Sequence, residues 1–268
     1  MDQSRTTLLG IPFDNLTEQE VLARVEKKMK EEGQFYITTP NPEFVLEAQT
    51  NERFRKALQN ADLSIPDGTG ILWAATFLNQ KRMGLIRSLM QIPFDSNSIR
   101  KVLKERVTGT DLMEKLVAQS ERTGWKIFLL GGSAGIAEGA KKVLLQKYPK
   151  ANIVGYFAGD GKSTGDSETV KKVSQAKPEI VFVAYGAPKQ EAWIERNLGQ
   201  LPSVQMAMGV GGAFDFISGK VKRAPGGFQK AGLEWLWRLL KEPKRAKRIR
   251  NATVKFIRLI AEEKKLKP

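Results

Sequence analysis

The stretch WKIFLLGGSAGIAEGAKKVLLQK, residues 125–147, decides the fold class of this chain. It begins with a short apolar run that is typical of a strand buried on both faces. It then passes through a glycine-rich loop and continues with the apolar spacing of an amphipathic helix. Strand, loop and helix in this order form one unit of a mainly parallel sheet. We therefore expect an α/β fold.

The same alternation runs along most of the chain. It predicts strands at residues 7–11, 35–38, 62–65, 125–130, 152–157, 179–184 and 204–208, and helices near residues 18–31, 42–59, 70–79, 109–122, 134–147, 168–176 and 189–198. Thr17 and Glu20 have the spacing of a capping box, which supports the start of the first helix. The predicted architecture is a doubly wound, mainly parallel, Rossmann-like sheet with helices on both faces and a C-terminal helical appendage.

Charge is distributed unevenly, and this suggests the domain organisation. Residues 222–268 carry 15 Lys and Arg residues against four Asp and Glu residues, whereas residues 1–221 are nearly balanced. We expect an α/β catalytic domain over residues 1–221, with an inserted helical flap at 81–106, and a basic amphipathic helical appendage at 222–268. Such a basic segment favours a polyanionic partner, whether nucleic acid, anionic lipid or phosphate.

Composition excludes several classes of function. The 268 residues include no Cys and no His. Disulfides, thiolate zinc sites and cysteine nucleophiles are therefore excluded, and acid–base chemistry near neutral pH falls to Asp, Glu, Lys or Tyr. The first residues lack the basic and apolar pattern of a signal peptide. The longest nearly uninterrupted apolar run, residues 206–214, is far shorter than the ~20 residues that span a bilayer. We expect neither a signal peptide nor a membrane span.

The strand-to-helix loops are the candidate site, because ligands of doubly wound sheets bind beyond the carboxyl ends of the strands. Neither GVGGAF (209–214) nor GGSAG (131–135) has the spacing of a dinucleotide fingerprint, and GKS at 161–163 lacks the first glycine of a P-loop. The backbone N–H groups of Gly131, Gly132 and Ser133, at the start of a helix, could hold a phosphate or a nucleotide hydroxyl. A tight strand-to-helix turn is the alternative interpretation.

Two later loops carry further candidates for binding a nucleotide sugar. The loop YGAPKQE, residues 185–191, contains Gly186 and displays Lys189 and Gln190 at a helix start, where they could bind phosphate and base or sugar. A solvated helix start is the alternative. In the loop after the last strand, Gly211 and Gly212 would let the backbone approach the nucleotide closely.

Among the carboxylates of these loops, Asp67 is the best candidate for a general base, because it directly follows a predicted strand. Its alternative role is to stabilise the turn through an Asx hydrogen bond. Asp215 is the second candidate, and it could contact the ligand or cap the short helix that follows. Asp160 and Glu191 come third.

Thr39 and Asn41 follow another predicted strand, with prolines on both sides of Asn41. An Asn amide suits sugar hydroxyls or an acetamido group. Alternatively, Asn41 caps the next helix, with Pro42 at its first position, and both roles are compatible. No Asp-x-Asp pair occurs in the sequence, so we expect no required metal, and we expect no cofactor.

The appendage allows three interpretations. Its helical patterns, at 227–241 and 244–264, combine Trp and Leu with many Lys and Arg residues, which suits an anionic bilayer surface. Alternatively, the apolar stripes dock on the domain and the charges are merely solvated. Nucleic acid is the third option, but no familiar binding motif accompanies the charge, so we expect no nucleic-acid partner.

Seven motifs, taken in chain order, resemble the WecG/TagA/CpsF glycosyltransferase family. They are TPNPEFV (39–45), PDGTG (66–70), ERVTGTDLM (105–113), GGSAG (131–135), YGAPKQEAW (185–193), GVGGAFDFISGKVKRAP (209–225) and GLEWLWRLLKEPKR (232–245). The resemblance covers almost the whole chain. Residues 81–100 depart from it, because this stretch is longer than the family leads us to expect.

The resemblance implies an inverting enzyme that moves a sugar from a UDP donor to a polyprenyl-diphosphate-linked acceptor on the cytoplasmic membrane face. In the best-known branch, N-acetylmannosamine passes to the 4-hydroxyl of undecaprenyl-diphosphate-linked GlcNAc in teichoic acid synthesis. By position, the resemblance implies Asp67 as general base, Thr39 and Asn41 as donor-pocket residues and Gln190 as another active-site contact. Arginines of the appendage would close over the diphosphate. The candidates are Arg223, Arg238 and Arg245.

The residues by themselves leave other functions open. A basic nucleic-acid-binding module on an α/β scaffold and a non-catalytic activator of another glycosyltransferase are the two alternatives. The donor sugar also stays open, since N-acetylmannosamine, its uronic acid or glucose could each be recognised by a few side chains. The oligomeric state, a homo-oligomer included, is open as well.

Overall fold

The computed structural model describes the backbone of residues 5–80, 82–95, 97–230, 237 and 243–266, and their side chains except at 93–94, 229–230 and 243–249. The strands are β1 (Thr6–Leu8), β2 (Ile11–Phe13), β3 (Phe35–Thr38), β4 (Leu63–Ser64), β5 (Ile127–Gly131), β6 (Ile153–Phe157), β7 (Ile180–Ala184) and β8 (Met206–Gly209). Strands β3 to β8 form a parallel sheet in the order β4-β3-β8-β7-β5-β6.

Helices follow most of the strands, in the alternation that the sequence predicts. They are α1 (Glu18–Lys28), α2 (Pro42–Glu47), α3 (Glu52–Gln59), α4 (Thr69–Asn79), α5 (Leu85–Phe94), α6 (Gly109–Thr123), α7 (Ile136–Lys147), α8 (Asp166–Ala176), α9 (Lys189–Asn197), α10 (Ala213–Ile217), α11 (Gly226–Lys230) and the C-terminal helix (Pro243–Leu266). The capping box predicted for α1 is present, with Thr17 and Glu20 each bonding the other's backbone N–H. Six parallel strands flanked by helices confirm the α/β class.

The middle strands of the sheet are covered on both faces. Every residue of β5 and β7 is buried. Side chains of α1, α6 and α7 join the apolar cluster on one face, and side chains of α8 and α9, including Trp193, join the cluster on the other. Burial on both sides explains why these strands are continuous apolar runs instead of alternating ones.

The first predicted strand, residues 7–11, is wrong. The chain turns back at Leu9 and Gly10, whose φ angles are +49° and +81°, so β1 and β2 form a separate antiparallel hairpin. A two-residue turn with both φ angles positive matches the twist of a hairpin. The apolar run at 7–11 therefore contains a turn that its composition does not reveal. The apolar side chains of the hairpin pack against α4, outside the main sheet.

The predicted helix at 42–59 is two helices. After α2 the chain leaves the helical conformation at Asn51, whose backbone is extended, and the Asn51 side chain accepts a hydrogen bond from the N–H of Phe54 at the start of α3. An Asn in this role begins a new helix because its side chain replaces a missing backbone acceptor. The apolar periodicity continued across the break and concealed it.

The segment at 81–106 contains α5 and a short 3₁₀ turn, Ser98–Arg100, and is irregular from residue 101 to 106, so the predicted helical segment is only partly helical. It packs against α4. The indole Nε1 of Trp73 donates to the Ser88 hydroxyl at 3.2 Å, and the Thr76 hydroxyl donates to the Ile99 carbonyl at 2.7 Å. These buried bonds attach the segment to the domain.

The C-terminal helix also packs against the domain. Phe256 and Ile260 are buried in the apolar cluster that contains α4, and the Lys264 ammonium donates to the carbonyls of Phe77, Gln80 and Met83. A cation at these carbonyls stabilises the end of α4. This helix therefore docks its apolar stripe on the domain. Of the helical pattern at 227–241, only the first residues and Trp237 are described. None of the described helices is long and apolar enough to cross a membrane.

Candidate active site

The six parallel strands end at one edge of the sheet, which we call the carboxyl edge. Each strand-to-helix loop emerges there, and the strand order sets the loops after β4, β3, β8, β7 and β5 side by side. The topology thus brings candidates from distant parts of the sequence to the same edge. They are Asp67, Thr39, Asn41, Gly211, Gly212, Gly186, Gly131, Gly132 and Ser133.

Asp67 lies in the loop after β4, which is tied to the loop after β3. The Asp67 N–H donates to the Pro40 carbonyl at 3.1 Å, and the Ile65 N–H donates to the Thr38 carbonyl at 2.9 Å. Gly68, with φ of +109°, lets the chain turn into α4 directly after Asp67. The backbone thus fixes Asp67 at the edge, where the residue is half-buried.

Asn41 caps α2, as one of its two predicted roles requires. Its Oδ1 accepts hydrogen bonds from the N–H groups of Glu43 at 2.9 Å and Phe44 at 3.1 Å, and Pro42 occupies the first position of the helix. The Nδ2 of Asn41 has no hydrogen-bond partner in the part of the chain that the structure describes. One side of the amide therefore caps the helix, and the other side can donate to a ligand.

Thr39 and Arg223 both lie at the start of α6. Thr39 is 7% exposed, and a Cβ atom on Gly109 would lie 3.0 Å from its Oγ1. Arg223 binds Asp111 through both arms of its guanidinium, with Nη2 2.8 Å from Oδ2, and the same Nη2 lies 3.3 Å from the Thr108 hydroxyl. The first arginine of the predicted appendage is thus held near the predicted donor pocket.

The sequence patterns do not mark Asp111 and Thr108 as site residues, although both belong to the motif ERVTGTDLM. Their spacing is that of a helix cap, and Thr108 does cap α6 by accepting the Asp111 N–H. Burial by itself would raise the pKa of Asp111, but the bonds from Arg223 and Thr108 outweigh burial and lower it. Asp111 is thus an anion that positions Arg223. Arg238 lies outside the described residues, and so does the side chain of Arg245.

The loop GGSAG is a close turn between strands as well as a helix start. Gly131 has φ of +109°, and a Cβ there would lie 2.8 Å from the Ala184 backbone, so only glycine fits. The Gly132 N–H is already bonded to the Ala184 carbonyl at 3.1 Å. Anion binding by this loop therefore falls to the residues after Gly132, where Ser133 is exposed just before α7.

The structure separates two residues that the sequence expected to be displayed together. Lys189 is exposed at the start of α9, but Gln190 is 1% exposed, so the prediction that Gln190 is displayed is wrong. Gln190 begins the buried stripe of α9 that Ile194 and Asn197 continue at helical spacing. Its Oε1 accepts from the N–H groups of Gly186 at 3.1 Å and Gly211 at 2.9 Å. One buried side chain thus holds the loops after β7 and β8 together.

Lys189 lines a groove of about 440 Å³ that opens at the carboxyl edge. The walls are the start of α3, the loop after β6 and the start of α9. Four of the lining side chains are basic: Arg53, Lys162, Lys189 and Arg196. Arg196 is paired with Asp166, and the Lys162 ammonium lies 3.9 Å from the Asp160 carboxylate. Arg53 and Lys189 therefore contribute most to the attraction of the groove for anions.

Asp215 does not cap a following helix, and that alternative is wrong. The helix begins earlier than expected, at Ala213, so Asp215 lies within the first turn of α10. The Asp215 carbonyl accepts the Val221 N–H at 3.0 Å, and its carboxylate is 3.9 Å from the Lys220 ammonium and partly exposed. A role in ligand contact stays a prediction.

Comparison with known proteins identifies the family of this chain. The model of the "Glycosyl transferase WecG/TagA/CpsF family" matches residues 6–94 and 90–268, and the two stretches meet inside the segment at 81–106. Similar curated proteins are the N-acetylglucosaminyldiphosphoundecaprenol N-acetyl-beta-D-mannosaminyltransferases of Staphylococcus aureus strains MW2, NCTC 8325 / PS 47 and MRSA252. Each is 29% identical over 269 residues, which cover 98% of this chain and 95% of the relative.

The family model spans nearly the whole chain. Six of the seven motifs that carry the resemblance lie on the loops of one sheet edge or on segments next to it, and the seventh, at 232–245, falls mostly outside the described residues. The protein belongs to the WecG/TagA/CpsF glycosyltransferase family.

Proposed function

We propose that the protein is an inverting glycosyltransferase that moves N-acetylmannosamine from a UDP donor to undecaprenyl-diphosphate-linked GlcNAc, in the synthesis of teichoic acid or a related surface polysaccharide. The observation that carries this proposal is the similarity, over 98% of the chain, to relatives whose name states this transfer. The gathering of Asp67, Thr39 and Asn41 on two bonded loops supports it.

The reaction is a single displacement. The 4-hydroxyl oxygen of the acceptor GlcNAc attacks the anomeric carbon of the donor while the bond from that carbon to the diphosphate oxygen breaks. UDP leaves with the electron pair, and the proton of the acceptor hydroxyl passes to Asp67. A positioned base contributes about 10²–10⁴-fold to such a step. In a chain without His or Cys, an accessible carboxylate is the natural group for this role.

The departing UDP carries negative charge that the site must stabilise. We assign this to the backbone N–H groups at the start of α7, to Lys189 and to Arg223. Arg223 is held at the edge by Asp111, and a substrate diphosphate can compete for it because Arg binds both anions through the same planar fork. We assign the same role, stabilising the charge of UDP, to Arg238 and Arg245 of the appendage.

The acceptor is a lipid, so we propose that the protein works as a peripheral protein on the inner face of the cell membrane. The net positive charge of residues 222–268 supports attraction to an anionic surface. Apolar side chains also project into solvent: Ile86 is 80% exposed, Met90 53% and Val254 62%. Binding to vesicles that contain anionic lipid, lost in vesicles of neutral lipid and at high salt, tests this part.

The experiment that tests the activity is a donor panel. Purified protein is given a GlcNAc-diphospho-lipid analogue with UDP-N-acetylmannosamine, its uronic acid or UDP-glucose, and both UDP release and the disaccharide lipid are measured. We expect turnover with UDP-N-acetylmannosamine. Turnover with one of the other donors instead would correct the proposed identity of the donor sugar. No turnover, together with salt-sensitive binding of nucleic acid that needs residues 222–268, would favour the nucleic-acid-binding alternative.

A further inference from the structure

Three buried oxygen atoms near the carboxyl edge have no hydrogen-bond partner among the described residues. They are Thr38 Oγ1, Ser64 Oγ and Glu191 Oε2. Buried polar atoms in folded proteins nearly always have partners. A group of unpartnered ones beside a candidate active site therefore calls for an explanation.

The sheet register places these atoms on one face. Thr38 pairs with Ser64 across β3 and β4, so their side chains point the same way. Thr38 also points to the same side as Tyr36, two residues earlier, and Tyr36 packs in the apolar cluster that includes Ile194 of α9. Glu191 lies on that same helix. The two hydroxyls and the carboxyl therefore share the face of the sheet that α9 covers.

Gly209 is the position that lets the Glu191 carboxyl lie against the sheet. A Cβ there would be 2.8 Å from Glu191 Oε1 and 2.6 Å from Gln190 Nε2, so a larger residue would displace the ends of both side chains. Gly209 follows Met208, which pairs with Ile37 of β3, so it is next to Thr38 along the neighbouring strand. The Gln190 and Glu191 side chains thus fill the space that this glycine leaves.

Glu191 and two backbone N–H groups together set which way round the Gln190 amide lies. Glu191 Oε1 accepts a hydrogen bond from Gln190 Nε2 at 2.7 Å, which turns Gln190 Oε1 towards the N–H groups of Gly186 and Gly211. The reverse orientation would set the amide nitrogen against those two N–H donors and leave all of them unsatisfied in a buried place. The carboxyl thus fixes the side chain that joins two loops of the site.

We propose that Glu191 is a positioning residue of the transferase: by holding the Gln190 amide it fixes the loops after β7 and β8 relative to each other at the carboxyl edge. The inference rests on the proposed function, since it assigns these loops to the donor site. The unpartnered hydroxyls of Thr38 and Ser64 share this face of the sheet with Glu191 Oε2, and a water bridging them would satisfy all three.

No cation among the described residues compensates the buried carboxyl. Tyr36 of β3 is the titratable group that faces it, and burial first, then nearby carboxylates including Glu191, raise the pKa of Tyr36. Arg55 of α3 donates to the Ala48 carbonyl, and Arg196 of α9 to Asp166. The other charged side chains of α3 and α9 that could approach are exposed: Glu52, Arg53, Lys56, Lys189 and Glu195.

Burial without a cation raises the pKa of Glu191 to about 7. The carboxyl thus changes its charge in the neutral range. Because its Oε1 is hydrogen-bonded to the Gln190 amide, this ionisation should shift the amide resonances of Gln190. This gives the positioning role a signature that a merely structural side chain would lack.

The experiment compares Glu191→Ala, Glu191→Gln and the control Glu195→Ala, which removes an exposed carboxylate from the same helix. We expect Glu191→Ala to lower kcat/KM for the donor by about 10–100-fold, because loops that are misplaced by an ångström lose that much. Glu191→Gln keeps an acceptor for Gln190 and should stay within about threefold of wild type at pH 7. The control should match wild type.

Two further measurements keep the result decisive. The first is NMR: the side-chain amide resonances of Gln190 should titrate near pH 7 in wild type but not in Glu191→Gln. This measurement depends neither on turnover nor on the folding of the Ala variant. The kcat/KM profile should flatten between pH 6 and 8 in Glu191→Gln. Wild-type kinetics in a folded Glu191→Ala, or Gln190 resonances that ignore pH in wild type, would overturn the inference. Absence of turnover in wild type would instead count against the proposed function.

Discussion

The two sides of the carboxyl edge are built differently. On the β3–β4 side, Asp67 and Asn41 are half-buried, and backbone hydrogen bonds, prolines and a helix cap fix their loops. On the β7–β8 side, Gln190 and Glu191 are 1% and 0% exposed, and side-chain hydrogen bonds hold the loops. The first side leaves Asp67 and Asn41 partly open to solvent, whereas the second buries Gln190 and Glu191.

This difference separates two kinds of sensitivity. A polar side chain that the backbone presents can be exchanged with little effect on stability, so its loss should appear mainly in rates. A buried side chain that joins loops cannot be exchanged without leaving donors or acceptors unsatisfied. We therefore expect kinetic effects from the β3–β4 side and coupled effects on stability and pH dependence from the β7–β8 side.

The largest effect should come from Asp67→Asn. If Asp67 is the base, kcat should fall by about a thousandfold, or about 4 kcal/mol of activation free energy, while the free energy of unfolding changes by less than about 1 kcal/mol. Turnover assays and urea unfolding measure the two quantities. Asp95→Asn, at an exposed carboxylate of the segment 81–106, is the control. Retained activity in Asp67→Asn would remove Asp67 as the base.

The next effect concerns the pH dependence of stability at Glu191. In the unfolded chain this carboxyl ionises around its ordinary pKa of 4.5, whereas in the folded protein it keeps its proton up to about pH 7. Folding is therefore increasingly penalised as pH rises through that window, by up to about 3 kcal/mol above it. Glu191→Gln should gain stability relative to wild type between pH 4.5 and 8. If the difference in unfolding free energy between wild type and Glu191→Gln stays constant with pH, the buried β7–β8 side does not have the expected pH sensitivity.

The smallest effect should come from Asn41, whose two roles can be separated. Asn41→Ala should lower the free energy of unfolding by about 1 kcal/mol through loss of the cap. Asn41→Asp keeps the cap but replaces the free amide N–H group, so it should leave stability near wild type and reduce donor affinity. Equal donor KM values in wild type and Asn41→Asp would restrict Asn41 to its capping role.

Much of the fold could be predicted from the sequence because its signals are local. Apolar runs such as those of β5 and β7, and the capping spacing of Thr17 and Glu20, depend on residues close together in the chain. The prediction failed where periodicity continued across a turn. The hairpin at Leu9 and Gly10 and the break at Asn51 are examples, since each interrupts a pattern without changing its composition.

The candidate site divides in the same way. The sequence located the loops, because parallel topology sends every strand-to-helix connection to one edge, and it identified Asn41 as a helix cap from its proline neighbours. It could not show that Gln190 is buried. It also could not show that Arg223 is paired with Asp111, a residue 112 positions away. These facts depend on which distant surfaces meet.

By itself, the sequence determined the parallel α/β class, the membership of the family and the edge where chemistry is expected, because those follow from local periodicity and ordered motifs. Only the tertiary structure decided which polar groups face solvent and which are buried against each other. Glu191 illustrates the reason: its pKa and its hold on Gln190 arise from burial beneath a helix and beside Gly209, an environment created by segments that meet only in the folded chain.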